Sequence, residues 1–398
     1  MFRAFDFVQR EDFDKTAIDM QVNKSTTFIK DECFVKETAI VYVNGRFLTQ
    51  PVTGVQRYAL ELMRHMDWLL EEFAPKLELV CLVPPQDFPN PSWKNIEIRP
   101  IGRTEGNLWE QFELPFYLNR QLLFSPANIG PWYYSKQLVM LHDASVFAIP
   151  KTYSFAFRIK YRFVFRQLAK RAVFFMTNSE FSRQELAHYL RIDQERFLVT
   201  PLGSDHMESV EVDQSILERE KLTPNTYLLL VASRSRHKNY ETVIQAVNLL
   251  EQDIKLVVVG GNFQQVFKKD ELVCARAGVL DLGYVTDQEL KSLYENALGF
   301  IAPSLYEGFG LPVLEAMQLG CPVISSHAAS LPEVAGDAAL YFDPHNVLDI
   351  TKVVDYFLSN PDLRDNMRQK GYHQAEKFTW SITARQTLEN IWKAYRMT

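Results

Sequence analysis

Two carboxylates, Glu307 and Glu315, stand eight positions apart around the run Gly308-Phe309-Gly310-Leu311-Pro312. The glycines let the backbone come close to a ligand. Pro312 fits the first turn of a helix, where its missing N–H costs nothing. A helix that starts after a Gly-rich loop offers free N–H groups and a positive dipole end, which suits a phosphate. Glu307 then lies in the loop before the helix and Glu315 about one turn inside it. One carboxylate can take hydroxyls on one side of the phosphates and the other on the far side. A sugar–diphosphate–nucleoside has that layout of hydroxyls, two phosphates and a ribose.

Cations suited to the same diphosphate lie upstream. Arg234 and Lys238 belong to Ser233-Arg234-Ser235-Arg236-His237-Lys238-Asn239, just after an expected strand and before a helix. Ligands of open α/β sheets bind beyond the strand C-termini, so both face such a crevice. An Arg holds two oxygens at once and a Lys acts as a point charge. Arg236 is a substitute for Arg234. In the first half of the chain, His142-Asp143 ends a strand, and Asp143 either orients the imidazole or caps the next loop. Gly54, in Thr53-Gly54-Val55-Gln56-Arg57, opens a helix whose N-terminus attracts a diphosphate from the other side.

These groups need a scaffold, and the hydrophobic pattern supplies one. Strands are expected at 39–43, 77–83, 138–141, 173–177 and 197–200, then at 227–232, 255–259, 281–285, 300–302, 322–325 and 339–342. Helices alternate with them, one starting at Val55, one behind the box Ser182-x-x-Glu185 and one behind Thr286-x-x-Glu289. The final helices cover 350–357 and about 381–395. Alternation of this kind implies parallel sheets with helices on both faces. The division is 1–38 as an extension, 39–205 and 206–378 as two Rossmann-like domains, and 379–398 as a helix that crosses back. The sole D-x-D of the chain, Asp12-Phe13-Asp14, reads as a solvated pair in the extension.

Composition narrows the partners. The net charge of −6 argues against nucleic acid, and 398 residues give room for two or three domains. The four cysteines, Cys33, Cys81, Cys274 and Cys321, form no cluster, which points to a reducing compartment without structural zinc or disulfides. No apolar run reaches the roughly 18 residues of a membrane span, and the N-terminus lacks the apolar region of a signal peptide. A cytoplasmic location is expected, with peripheral attachment to the inner face of the membrane left open. Seven Lys/Arg and no acid lie between Asp143 and Glu180. Arg158, Arg162, Arg166 and Lys170 share one helical face, Phe157, Tyr161, Val164 and Leu168 the opposite one, and Phe155, Ile159 and Phe163 mix with the cations. The helix suits an anionic membrane or a lipid-diphosphate acceptor, and equally a solvated face.

The block from Pro303 to Ala316 resembles the E-x7-E signature of retaining, nucleotide-sugar-dependent glycosyltransferases of family four, which have the GT-B fold. The resemblance runs from about Ala39 to the C-terminus and is strongest from Tyr227 to Pro344. It implies two Rossmann-like domains facing across a cleft, with the last helix crossing to the first domain. It implies that Arg234 and Lys238 steady the departing diphosphate with no metal and no cofactor, although the four-residue gap between them is one shorter than in many relatives. Glu307 is implied to position the sugar hydroxyls and Glu315 the ribose, with Gly54, Gly308, Phe309, Gly310 and Leu311 around the donor. Tyr284 and Val285 match the place where the nucleobase is held by main-chain groups, and His142 the histidine that lies against the donor sugar. Trp109 and Glu110, in Asn107-Leu108-Trp109-Glu110-Gln111, echo an acceptor-side helix, with a structural role as the alternative.

The Thr-Gly-Val-Gln-Arg-Tyr and His-Lys-Asn variants are most similar to bacterial surface-polysaccharide enzymes, many of them mannosyltransferases. The implied reaction moves mannose from GDP-mannose to a saccharide or polyprenyl-diphosphate-linked saccharide, as in O-antigen synthesis. Two other readings keep the fold: a nucleotide-sugar epimerase, and a non-catalytic scaffold.

Overall fold

The computed structural model describes residues 38–73, 77–232, 235–260 and 278–398. The extension up to residue 37, with Asp12-Phe13-Asp14 and Cys33, lies outside them, as do Arg234 and Cys274. Two parallel sheets carry the remainder. The first has the order β3-β2-β1-β4-β5-β6-β7, formed by β1 (Ala39–Asn44), β2 (Leu77–Val83), β3 (Glu97–Pro100), β4 (Leu122–Ser125), β5 (Gln137–Met140), β6 (Phe174–Thr177) and β7 (Phe197–Val199). The second has the order β10-β9-β8-β11-β12-β13, formed by β8 (Tyr227–Ala232), β9 (Lys255–Gly260), β10 (Val279–Gly283), β11 (Gly299–Ala302), β12 (Val323–Ser326) and β13 (Ala339–Phe342). Strand order reverses beside the first strand of each sheet, β1 next to β4 and β8 next to β11. The crevice beyond such a switch point is where open α/β sheets bind ligands.

The central strands read as continuous apolar runs because helices cover both faces. β5 and β6 are buried throughout. Helix α1 (Gly54–Phe73) packs Tyr58, Leu62 and Met66 into the first core. Helix α2 (Phe155–Arg171) follows β5, and α3 (Glu180–Leu190) follows β6. In the second half α4 (Tyr240–Val247), α5 (Asp287–Asn296), α6 (Leu311–Gln318), α7 (Leu331–Ala335), α8 (Val347–Ser359) and α9 (Pro361–Ala375) surround the sheet. Helix α10 (Trp380–Arg396) then returns to α1, burying Trp380, Ala384, Leu388 and Ile391 against the first core. Each such Leu or Ile contributes about 1.5–3 kcal/mol of burial free energy.

Several local expectations need correction. β3 and β4 had no counterpart among the expected strands. β3 is a mostly exposed four-residue edge, and β4 is a four-residue run entered through Asn119 and Arg120 at positive φ. Ser179, not Ser182, caps α3: its hydroxyl accepts the Ser182 N–H, so Ser182 lies inside the helix. The Thr286/Glu289 capping box of α5 is present with both reciprocal bonds. β10 ends at Gly283, leaving Tyr284 and Val285 in the loop beyond it.

Candidate active site

The turn after β8 and the loop after β11 are tied together. Arg236–Lys238 form a single 3-10 turn, and Asn239 closes it at φ 54°, a left-handed conformation that asparagine tolerates. The Asn239 amide donates to the carbonyls of Pro303 at 3.2 Å and Pro344 at 2.7 Å. The Leu305 N–H donates to the His237 carbonyl at 2.7 Å. Lys238 Nζ thereby comes 2.5 Å from Glu307 Oε1, which also accepts the Ser304 hydroxyl at 2.6 Å. Burial alone would raise the Glu307 carboxyl. The charge and hydrogen bond of Lys238, then Ser304 and His237, outweigh it and hold the carboxyl below its ordinary value. Glu307 is therefore an anion at neutral pH, and Lys238 is its fixed countercharge.

The glycine block behaves as its composition demands. Gly310 sits at φ 107° and starts α6, with Pro312 in the first turn and no side chain capping the free N–H groups. Ser330 donates its hydroxyl to the carbonyls of Glu307 and Phe309, both at 2.9 Å. Glu315, one turn into α6, is 6% exposed. Tyr294 donates to its Oε2 at 3.4 Å, and His206 Nε2 lies 3.3 Å from its Oε1 but poorly aligned. Burial pushes the Glu315 carboxyl up, but His206, Arg57 and Tyr294 together hold it below its ordinary value. Arg57 reaches across from α1 and donates to both oxygens of Asp287, at 2.7 and 2.9 Å.

The first half meets this block directly. A Cβ on Gly308 would lie 2.5 Å from the His142 carbonyl oxygen and 2.9 Å from Asp143 Cβ, so only glycine fits there. Ser179 and Ser182 donate to the Gly308 carbonyl at 2.7 and 2.9 Å. Glu333, on α7, accepts the N–H groups of Glu180 and Phe181 at the start of α3. The structure therefore brings His142 and Asp143 against the E-x7-E block. Both ring nitrogens of His142 are engaged elsewhere: Nδ1 accepts from Asn178 at 2.9 Å and Nε2 faces the Pro126 carbonyl at 3.2 Å. Burial drops its pKa to about 4, so the ring is neutral, a packing and positioning group rather than a proton carrier. Burial also pushes the Asp143 carboxyl up, with Ser145 opposing and Glu307 adding to the push.

Other expected residues fall in different places. Tyr284 is 73% exposed at the end of β10, whereas Val285 is buried. Gly54 is exposed, and a Cβ there would touch nothing. Trp109 corrects the acceptor-side reading. It is fully buried beneath Tyr42, Leu82 and Leu123 and donates its indole N–H to the Ile101 carbonyl at 2.9 Å, so it touches neither ligand nor membrane. Glu110 pairs with Arg46 at 2.7 Å and accepts from Asn44 at 2.9 Å.

The basic face of α2 is also corrected. Arg162 donates to the Val146 carbonyl at 3.1 Å, and Arg162 and Arg166 lie over the Phe147 ring, so part of that face serves packing. Arg158 lies over the ring of Phe155. The outward stripe is Phe155, Ile159 and Phe163, which are 70%, 54% and 48% exposed.

Sequence reasoning missed His237, Ser304 and the Arg57–Asp287 pair. His237 lies within the fields of Glu307 and Asp143, and its Nδ1 is buried without a hydrogen-bond partner among the described residues. Its place between Arg236 and Lys238 was the available signal. Among the described residues, no three His, Cys, Asp or Glu side chains gather as a metal site requires.

The family described as "Glycosyl transferases group 1" matches residues 213–374, the segment holding Lys238, Glu307 and Glu315. This chain is a glycosyltransferase. It is 28% identical over 367 residues to the O-antigen chain mannosyltransferase B of Escherichia coli, across 85% of this chain and 95% of that one. It is 29% identical over 282 residues to the serotype-specific mannosyltransferase WbdA of Escherichia coli, across 67% of this chain but only 34% of WbdA. Its fold is similar to that of sucrose-phosphate synthase from Thermosynechococcus elongatus, at TM-score 0.70 and 16% identity, covering 91% of this chain and all of that one. The two-sheet GT-B architecture and its returning helix agree with the sequence reading.

Proposed function

We propose that this glycosyltransferase moves mannose from GDP-mannose to a hydroxyl of a saccharide in surface-polysaccharide synthesis, with retention at the anomeric carbon. The observation that carries the reading is the Lys238–Glu307 pair at 2.5 Å, set beside the uncapped start of α6 at the switch point of the second sheet. The mannosyltransferase names of the relatives support the choice of sugar. In this mechanism the acceptor oxygen bonds to C1 as the C1–O bond to phosphate breaks. The hydroxyl proton passes to the departing phosphate oxygen on the same face. Lys238 and the N–H groups of α6 hold the charge that builds on the diphosphate. Glu307 positions the sugar hydroxyls and Glu315 the ribose. His142 supports the loop beside Gly308.

The test is transfer from a panel of GDP-, UDP-, dTDP- and ADP-sugars, with the product anomer assigned by NMR. Turnover with GDP-mannose and an α-linked product is expected. An inverted product ends the retention claim, and an epimerised donor in the absence of acceptor ends the transfer claim. We assign the protein a cytoplasmic location with peripheral contact to an anionic membrane, supported by the exposed Phe155-Ile159-Phe163 stripe among Lys160, Lys170 and Arg171. Among the described residues no helix is long and apolar enough to cross a membrane. Sedimentation with phosphatidylglycerol vesicles at low salt is expected. Protein left in the supernatant rules out that contact.

A further inference from the structure

The chain crosses between its two halves twice, and both crossings meet beside Glu315. The first runs through Gly203-Ser204-Asp205-His206, and the second enters α10 at Trp380. A Cβ on Gly203 would collide with the Trp380 backbone nitrogen, so glycine is what lets the two segments touch. Asp205 accepts the Trp380 backbone N–H at 2.7 Å, and the Ser204 N–H donates to the Phe378 carbonyl at 3.2 Å. The Ser204 hydroxyl reaches the Gln318 side chain, at the end of α6, at 3.2 Å. These bonds hold His206 and the Trp380 ring against the helix that carries Glu315.

His206 is buried, and its two ring nitrogens face different partners. Trp380 donates its indole N–H to Nδ1 at 3.1 Å. An indole N–H can only donate, so Nδ1 accepts and the ring proton stands on Nε2. Nε2 lies 3.3 Å from Glu315 Oε1 and has no aligned hydrogen bond to a described residue. A buried N–H without an acceptor is costly, and the Glu315 carboxylate is the acceptor within reach. The other holds on that carboxylate are looser. Tyr294 has one O–H to divide between the Pro312 carbonyl at 3.3 Å and Glu315 Oε2 at 3.4 Å. Arg57 is committed to Asp287 by two hydrogen bonds.

We propose that His206 is a positioning residue that orients Glu315 towards the nucleoside, and that Trp380 fixes His206 for that task, so the returning helix takes part in donor binding. The inference rests on the assignment of Glu315 to the ribose and deepens it. A carboxylate has about four acceptor sites, and His206 and Tyr294 approach two of them. With Oε1 drawn to Nε2, the rotation of the carboxylate is set, and the remaining sites accept the ribose hydroxyls. The line of contacts continues into the first half. The Trp380 ring lies 6.1 Å from that of Tyr58, and Tyr58 meets His142 edge-on at 4.7 Å. Donor affinity is therefore tied to how α10 seats on α1.

The test compares GDP with dideoxy-GDP, which lacks both ribose hydroxyls, by calorimetry on the full-length protein. The wild type is expected to prefer GDP about tenfold or more, the size of one hydrogen bond to a charged group. His206→Leu is expected to lose most of that preference, through weaker GDP binding with dideoxy-GDP little changed. His206→Gln, whose amide N–H reaches the place of Nε2, is expected to restore it. A packing defect alone weakens both nucleotides alike. Trp380→Phe keeps an aromatic ring but no donor, and it carries the test if His206→Leu does not fold. By NMR of isotope-labelled protein, the His206 ring is expected to show the Nε2–H tautomer in the wild type and to lose that fixed tautomer in Trp380→Phe. A GDP preference kept in full by His206→Leu overturns the inference, and so does an unchanged tautomer in Trp380→Phe. A wild type that binds both nucleotides equally instead removes Glu315 from the ribose, and with it the reading on which the inference rests.

Discussion

Lys238→Ala removes one of two charges in contact, and its effect has two parts. The first is direct: an ammonium that neutralises the departing diphosphate is lost, and removing such a donor costs about 10²–10³ in kcat. The second acts through Glu307. With Lys238 gone, its Oε1 keeps the Ser304 hydroxyl at 2.6 Å, and only Ser304 and His237 remain to oppose burial, the largest influence on the carboxyl. The carboxyl pKa rises. The acidic limb of the rate–pH profile is then expected to move to higher pH in Lys238→Ala. Groups this close couple by about 0.5–3 kcal/mol in double-mutant cycles, a factor of roughly two to 150. Steady-state kcat/KM of wild type, Lys238→Ala, Glu307→Gln and the double variant measures that coupling. The double variant is expected to be far better than the product of the single losses. Additive losses, with an acidic limb that does not move, refute the pairing as a functional unit.

Other outcomes follow from the same geometry. Gly308→Ala forces a Cβ against the His142 carbonyl at 2.5 Å, a strain of about 1–3 kcal/mol for overpacking. At least tenfold weaker activity and a larger radius of gyration by small-angle scattering are expected, and an unchanged kcat removes the close approach from the mechanism. Glu315→Gln is expected to raise the donor Kd tenfold or more by calorimetry with little change in fold; an unaltered Kd sinks the ribose role. His142 has a folded pKa of about 4 against an ordinary 6.5, so its contribution is complete above 6.5 and is lost as pH falls towards 4. The full loss is about 3 kcal/mol. Urea midpoints for wild type and His142→Asn are expected to converge between pH 7 and 4.5, and a constant gap contradicts the neutral buried ring.

The sequence disclosed most of the second half, because most of its strands are apolar runs and its helix starts carry capping residues or Gly-Pro chemistry. Gly310 and Pro312 are where that chemistry puts them. β3 was hidden because it has almost no apolar side to display, and β4 because only Leu122-Leu123-Phe124 mark it between polar residues. The 361–375 helix was missed because its charged sequence carries little amphipathic contrast. Within the site, Glu307 and Lys238 were legible as types at a spacing, but their contact depends on Asn239 and the Leu305–His237 backbone bond, which no periodicity reports. Trp109 misled for the opposite reason. The run Asn107–Gln111 echoes an acceptor-side helix of relatives, yet Ile101, eight residues back, supplies the carbonyl that lets the indole sink into the core.

The returning helix has a practical side. Trp380, Leu388 and Ile391 belong to the same apolar mass as Tyr58 and Leu62. Thr383 donates to the Pro201 carbonyl at 2.7 Å, and Asn390 reaches Thr200 at 3.2 Å. Chimeras that graft a foreign second half onto this first half must therefore be cut twice. A single crossover near residue 205 strands the tail with the wrong partner, whereas a graft spanning only 206–378 keeps 380–396 with the lobe it was shaped to seal.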